Sequence, residues 1–333
     1  MGRELIRYLK RQSDFVPVNL LAEELDLHRD AVFTQVEDLI EQGYSIEFHP
    51  YLGVKLIDIP DKLLHDEILD DLNTKTIGRN LVIRDELAST NDTAWELIEA
   101  DPALPDGTVV TTEYQTHGKG RMGAEWHSTR GAALALSVVL KTHVPPDKQA
   151  YVTAMASLAL ANMLQQFVYL PAEIKWPNDI IIRGRKAAGV LVEARSNQPD
   201  TYVLGIGMNV NQLRSDFPEE LRGTATSLRL ERPGAAPLNR VRVLRPMLFY
   251  LEKVYELLRR RKWEKLARAW TEFVPMGGRR VGLTHSGQDY RGTVQKIDPA
   301  RGITLKLDNG ENKEFSAEGV SLVREIGDDT MYG

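Results

Sequence analysis

Gln115-Thr-His-Gly-Lys-Gly-Arg-Met-Gly-Ala-Glu-Trp126 sets three glycines, at 118, 120 and 123, within six residues and hangs two cations, Lys119 and Arg121, among them. It follows the strand-like run Thr108–Thr112 closely, so it reads as a flexible loop leaving a β-strand. Backbone N–H groups in such a loop can approach an anion closely, and paired cations can neutralise phosphate charge as it develops. No G-x-x-x-x-G-K-[ST] occurs, so it is not a P-loop, and no G-x-S-x-G appears anywhere in the chain. By itself the stretch is equally a basic surface loop.

Outward from this loop, apolar runs recur at Leu81–Ile83, Leu134–Leu140, Ile180–Ile182, Ala188–Glu193 and Tyr202–Gly207. Helical patterns lie between and after them, the longest at Lys148–Val168 and Asn239–Arg261. That alternation predicts a mixed α/β domain over residues 79–274. From 275 to 325 short strands are separated by turns at Ser286-Gly287, Asp298–Gly302 and Asp308-Asn309-Gly310, which predicts a small β-barrel. Toward the amino terminus, Leu5, Ile6 and Leu9 fit one helix, Leu20, Leu21 and Leu25 a second, and Val32, Val36, Leu39 and Ile40 a third. Two short strands, Tyr44–His49 and Tyr51–Leu56, follow as a wing, so residues 1–60 read as a winged helix-turn-helix. Pro60 begins a linker, 61–78, with a short helix inside it.

Composition narrows the chemistry. The chain has 333 residues, enough for two or three domains, and no cysteine, which removes disulfides, thiolate metal sites and a cysteine nucleophile. Its seven histidines show no metal-ligand spacing. No apolar run approaches the ~20 residues that span a bilayer, and Met1–Arg11 lacks the apolar stretch of a signal peptide, so a cytoplasmic location is expected. Net charge is −5, and it is concentrated: through Lys62 there are seven Lys and Arg against twelve Asp and Glu, while the remainder is neutral. That acidity opposes nucleic-acid binding by the amino-terminal segment.

Four further motifs bear chemistry. In Lys175-Trp-Pro-Asn-Asp179, Pro177 restricts its neighbours and aims Lys175 and Asn178, although a turn closing a strand accounts for it equally. Lys186-Ala-Ala-Gly189 puts a lysine among small residues at the mouth of a buried strand; a solvated lysine there is the plainer alternative. Gly205-Ile-Gly-Met-Asn-Val-Asn211 ends a strand in asparagine amides or simply bulges it. Ser89-Thr-Asn-Asp92 starts a helix, either as a cap or as a seat for a polar ligand head.

In this order and spacing, Ser-Thr-Asn 89–91, the Gln115–Trp126 loop, Lys-Trp-Pro-Asn-Asp 175–179, Lys-Ala-Ala-Gly 186–189 and Gly-Ile-Gly-Met-Asn-Val-Asn 205–211 resemble the biotin–protein ligases. With the amino-terminal helices, the chain looks like the bifunctional form that is also the biotin operon repressor. The resemblance implies an α+β multi-domain fold with a winged helix-turn-helix, a central ligase domain and an SH3-like carboxyl-terminal barrel. It implies ATP and biotin as substrates, Mg2+ with the ATP, and a two-step reaction through biotinyl-5′-AMP. The partners implied are the biotin carboxyl carrier protein of acetyl-CoA carboxylase, operator DNA and a second copy of the chain.

Carried over by position, Lys186 and Arg121 would be catalytic. Ser89, Thr90, Asn91, Gln115, Lys119, Gly120, Arg121 and Lys186 would hold biotin. Gly118, Arg121, Trp126, Lys175, Asn178, Asp179, Asn209 and Asn211 would serve ATP, with Asp179 near the metal and the stretch 212–232 over the adenine. His28, Arg29, Thr34 and Gln35 would meet DNA, on a helix that also carries Asp30, Glu37, Asp38 and Glu41. The family loop is often richer in arginine than this one, which has Lys119, Met122 and Ala124. A lipoate–protein ligase and a ligand-sensing repressor without catalysis are the alternatives. Both Arg121 and Lys186 are present, which favours catalysis, because a sensor has no departing pyrophosphate to stabilise.

Overall fold

The computed structural model describes residues 3–325. The chain divides into two compact units, at Lys62/Leu63. The first holds α1 (Arg3–Leu9), α2 (Val18–Glu24), α3 (Arg29–Glu41) and an antiparallel pair, β1 (Ser45–His49) and β2 (Gly53–Asp58). Its core is small: Leu5, Ile6, Leu9, Val18, Leu21, Val32, Val36, Leu39 and Val54. The apolar stripes differ in detail from the sequence pattern. Val18 rather than Leu20 packs inward from α2, and Ile40 lies outside, because 3.6-residue spacing from Val32 and Val36 turns position 39 inward and 40 away. The strands are also shifted. Tyr51, expected in the second strand, sits in the turn and is 91% exposed.

The second unit begins at once. Residues 61–78 were expected to be a linker, yet Leu63, Ile68, Leu72 and Ile77 are all core residues and the stretch includes α4 (His65–Leu69). Then follow β3 (Leu81–Leu87), α5 (Thr90–Ala100), β4 (Val109–Gln115), β5 (Gly118–Lys119), β6 (Glu125–Trp126), β7 (Ala133–Lys141) and α6 (Ala150–Met163). After them come β8 (Ala172–Lys175), β9 (Asp179–Ile182), β10 (Arg185–Arg195), β11 (Gln198–Asn209), α7 (Leu228–Glu231), α8 (Arg240–Arg259) and α9 (Trp263–Thr271). Seven strands form one mixed sheet in the order β3-β4-β7-β11-β10-β9-β8; only β3 and β4 are parallel.

Both faces of this sheet are covered, which is why its strands read as continuous apolar runs rather than alternating ones. Val109, Leu136, Val138, Leu204 and Ile206 face the cluster that contains α6 and α8. Val110, Val139 and Val203 face Ala94, Trp95 and Ile98 of α5. Helix α6 is buried nearly all round, as its Ala-rich sequence permits close approach on several sides. Strand β8 and helix α9 were not legible: one is four residues long, the other a nine-residue amphipathic piece next to a longer helix.

Residues 280–325 form an antiparallel five-stranded sheet: β12 (Arg280–His285), β13 (Gln288–Asp298), β14 (Gly302–Leu307), β15 (Asn312–Phe315) and β16 (Val320–Glu325), in the order β15-β14-β13-β12-β16. The three expected turns join its first four strands. Val281, Leu283, Val294, Ile303 and Leu305 belong to the same apolar cluster as α6 and α8, so this sheet and the central layers share one core.

Candidate active site

One end of α5, the loop between β4 and β7, and the adjoining ends of β8, β9, β10 and β11 enclose a cavity of about 240 Å3. Ser89, Thr90, Asn91, Gln115, Lys119, Gly120, Arg121, Trp126, Lys175, Asn178, Asp179 and Lys186 all line it. Residues drawn from stretches almost a hundred positions apart therefore meet in one place, which the plainer local readings did not require.

The polar end is built on a helix start. Ser89 caps α5, its Oγ accepting from the backbone N–H of Asp92. Such a cap stabilises the helix by about 1 kcal/mol, so the capping reading holds alongside a role at the cavity. Gln115 Oε1 accepts from the Thr90 N–H at 2.9 Å and from its hydroxyl at 3.1 Å. Ser137 Oγ reaches Thr90 Oγ1 at 2.8 Å and donates to Asn91 Oδ1 at 2.6 Å. Ser137 was not foreseen; its signal was a single hydroxyl in the middle of the apolar run 134–140. Asn91 Nδ2 is buried with no protein acceptor in range, and so is Trp126 Nε1. Buried donors are normally satisfied, so these two suit a ligand that brings acceptors.

Two glycines explain the flat wall opposite. A Cβ at 205 would lie 2.4 Å from Asn91 Oδ1, and one at 207 would lie 2.3 Å from Trp126 Cε2. The strand must be bare there for the amide and the indole to lie against it. The bulge reading of this stretch is not needed, since β11 stays in register with β7 from Thr201 to Asn209.

Three of the cavity cations have a partner. Lys119 Nζ is 2.5 Å from Asp92 Oδ1, and Lys186 Nζ is 2.7 Å from Asp179 Oδ1. Lys186 also stands 5.5 Å from the Trp126 ring centre. Arg121 donates to the backbone carbonyl of Ala317 at 2.5 Å. Burial pulls the Arg121 guanidinium below its ordinary pKa, against the opposing pull of nearby Asp179; it stays charged across ordinary pH. Asn178 is fixed by a 2.7 Å bond from its amide to the Val190 carbonyl, and the Trp176–Pro177 bond before it is cis. The turn therefore both closes a strand and faces the cavity.

Some expected residues lie elsewhere. Gly118 packs under the Trp126 carbonyl and lines an adjoining groove instead. Asn209 and Asn211 are not in the lining: their amides donate to the carbonyls of Thr226 at 3.0 Å and Leu238 at 2.7 Å. Their role in the structure is to pin the segment after β11. That segment returns to the site. The Lys186 N–H donates to Thr224 O, and the Thr226 N–H donates to Lys186 O, so the backbone beneath Lys186 is held from both sides. Beside it Glu231 is buried between Thr226, Arg183 and Arg185. Burial alone would raise its pKa, but those hydrogen bonds and charges outweigh it and hold the carboxylate below its ordinary value.

On the first unit, His28, Arg29 and Thr34 are exposed and Gln35 half-buried. Thr34 shares its face of α3 with the exposed acids Asp30, Glu37 and Glu41. Among the described residues no group of three or more His, Asp or Glu side chains could hold a metal ion by itself.

Comparison with known proteins agrees with this geometry. Residues 85–211 match the biotin/lipoate A/B protein ligase family, a range that spans the loop, both lysine motifs and the glycine wall. The bifunctional ligase/repressor BirA of Bacillus subtilis is 33% identical over 309 residues, covering 92% of this chain and 94% of its own. The biotin–[acetyl-CoA-carboxylase] ligase of Mycobacterium tuberculosis is 37% identical over 247 residues, covering 72% and 89%. In fold, the chain is similar to the biotin protein ligase of Aquifex aeolicus solved with biotin and ATP: TM-score 0.61, 24% identity, 74% of this chain and all of that one. Together the family match and the relatives define the class, a biotin/lipoate-type protein ligase. At that identity and coverage, the chain belongs to the biotin–protein ligase family, and it is a ligase.

Proposed function

We propose that this chain activates biotin with ATP to biotinyl-5′-AMP and transfers the biotinyl group to a lysine of the biotin carboxyl carrier protein of acetyl-CoA carboxylase. The observation that carries the reading is the convergence of Lys119, Arg121, Lys175 and Lys186 on one cavity whose far end is a ring of neutral hydrogen-bonding groups. A neutral ureido head fits the Ser89, Thr90, Asn91, Gln115 and Ser137 end; two anions to be joined fit the cationic end.

The carboxylate oxygen attacks the α-phosphorus, and the bond to the β-phosphate oxygen breaks. Lys119 and Arg121 screen the two anions as they meet, and Lys186 stabilises the charge that builds on the phosphate and departs with pyrophosphate. In the second step the neutral ε-amine of the acceptor attacks the anhydride carbonyl and AMP leaves. Trp126, Lys175, Asn178 and Asp179 form the nucleotide side. Asn209 and Asn211 support this side through the 212–238 segment they hold, rather than by contact. Mg2+ would arrive with the nucleotide phosphates, and Asp179, one of two carboxylates lining the cavity beside Glu125, would help to hold it. Bound with the nucleotide it would screen the phosphate charge.

The first unit is, in this proposal, a winged helix-turn-helix that lets the adenylate-loaded chain repress biotin synthesis genes, with Arg29, His28, Thr34 and Gln35 toward the operator. Dimerisation through the central domain would set two half-sites apart. The carboxyl-terminal sheet, 275–325, is taken as the SH3-like domain of the family, and the ligase domain as 79–274. A cytoplasmic location is part of this proposal; no helix among the described residues is long and apolar enough to cross a membrane.

Incubation with Mg-ATP, an equal mixture of biotin and lipoate, and the acceptor domain, followed by intact mass and peptide mapping, tests the ligase reading. The expected outcome is one biotinyl addition on a single acceptor lysine. Lipoyl addition from lipoate in its place would move the chain to the sister activity.

A further inference from the structure

We propose that Asp92 is a positioning residue that, through Lys119, fastens the Gly118–Trp126 loop to the helix start beside the neutral end of the cavity. The inference rests on the ligase reading for its consequence, but not for its geometry. The loop is a narrow hairpin: Gly118 pairs with Trp126, Lys119 with Glu125, and the Gly120 N–H donates to Ala124 O at 2.7 Å. Two of its side chains reach out in different directions. Arg121 reaches the carbonyl of Ala317, and Lys119 reaches Asp92 at 2.5 Å.

Asp92 is well placed for this. It stands in the first turn of α5, immediately after the three residues that line the cavity, so a contact there ties the loop to the helix start that shapes the neutral end. Its carboxylate is favoured by the helix dipole at that end. Its position relative to Lys119 is independent of Glu125, the loop's own acid, which faces Lys119 across the hairpin but is not its partner. A lysine ammonium is a point charge that pairs without a fixed fork, so one carboxylate is enough to hold it. Lys119 thus has two duties: it meets substrate carboxylate from above the cavity, and through Asp92 it sets how often the loop lies closed.

Both partners are nearly half exposed, so the pair is weak and salt-sensitive, and its effect on closure is a few-fold rather than absolute. Weak closure has a specific cost in this chemistry. An acyl-adenylate must outlast the wait for its acceptor, and an opened loop lets it escape or meet water.

Limited trypsin digestion of the full chain without ligand, read by mass spectrometry at Lys119 and Arg121, measures closure without reference to any activity. Asp92→Asn is expected to speed cleavage at these two sites about two- to fivefold, and to remove most of the acceleration that added salt causes in the parent. Asp92→Glu, which keeps the charge, should stay near the parent. Glu99→Gln, which breaks an exposed pair with Arg195 farther along the same helix, should leave these sites unchanged. In turnover, Asp92→Asn should release more free biotinyl-AMP per acceptor labelled. Equal cleavage in parent and Asp92→Asn would overturn the proposal; so would equal acceleration by Asp92→Glu, which would mean a merely structural cap residue. If cleavage responds as expected and no adenylate forms in any variant, the latch stands and the ligase reading fails.

Discussion

Lys186 shows how much a single position depends on its surroundings. Its ammonium is held by Asp179 and stands near the Trp126 ring, while its own backbone is bonded on both sides by Thr224 and Thr226. A charge placed so firmly matters most when phosphate charge develops. Lys186→Ala should therefore lower the rate of adenylate synthesis by a factor of about 100 or more, with a much smaller loss of biotin affinity. Calorimetry beside a pyrophosphate-release assay separates the two, and equal losses would leave Lys186 a binding residue only. Gly207 makes the opposite point, that a residue can matter by having nothing to offer. Gly207→Ala puts a Cβ into the space of the indole of Trp126, so the ring must leave. The chain should fold, with a Tm near the parent's, and bind nucleotide poorly.

At the scale of elements, the segment after β11 has little regular structure beyond α7 and short turns, yet its polar anchors are buried. Asn209, Asn211, Gln212, Thr226, Ser227 and Glu231 are all buried. Glu231→Gln removes the charge that pairs with two arginines and one of its two acceptor oxygens, and should cost roughly 2 kcal/mol, less than a fully buried pair because Arg183 is half exposed. The pH dependence follows from the lowered pKa. The Glu231 contribution is complete above the ordinary glutamate value of 4.5 and is lost as pH falls through the lower folded value. Acid unfolding followed by circular dichroism should accordingly be less steep below pH 4.5 in Glu231→Gln than in the parent.

This segment also marks where reading the sequence stopped. Long apolar runs and Gly- and Asn-bearing turns announced the central strands and the carboxyl-terminal sheet, because burial on both faces and tight turns leave strong local signals. The cavity lining from Ser89 to Lys186 was legible through motif order. Asn209 and Asn211 do not line the cavity, and the sequence could not show this, because an amide at a strand end looks the same whether it meets a ligand or a backbone carbonyl 17 or 27 residues away. Asp92 and Ser137 were passed over for a related reason: what gives each its role is a partner distant in sequence, 27 and 46 residues off.

Across the whole molecule, charge divides the account. The residues after Lys62 are neutral overall and bring four cations, Lys119, Arg121, Lys175 and Lys186, to one cavity, whereas the first 62 residues carry seven cations against twelve acids. If the first unit reads an operator, it does so with few phosphate contacts. Arg29 is the exposed cation at the start of α3, so Arg29→Ala should weaken operator binding about tenfold and reduce the slope of log K against log salt by about one. A gel-shift series at several salt concentrations measures both, and an unchanged slope would place the contacts elsewhere.

The central claim is that this cavity joins biotin, and not another acid, to AMP. Purified chain given Mg-ATP and an equal mixture of biotin and lipoate, then quenched and examined by mass spectrometry, tests it most directly. Biotinyl-AMP, with lipoyl-AMP at background, is the predicted result. Lipoyl-AMP as the main product, or biotin bound with no adenylate formed, would contradict it.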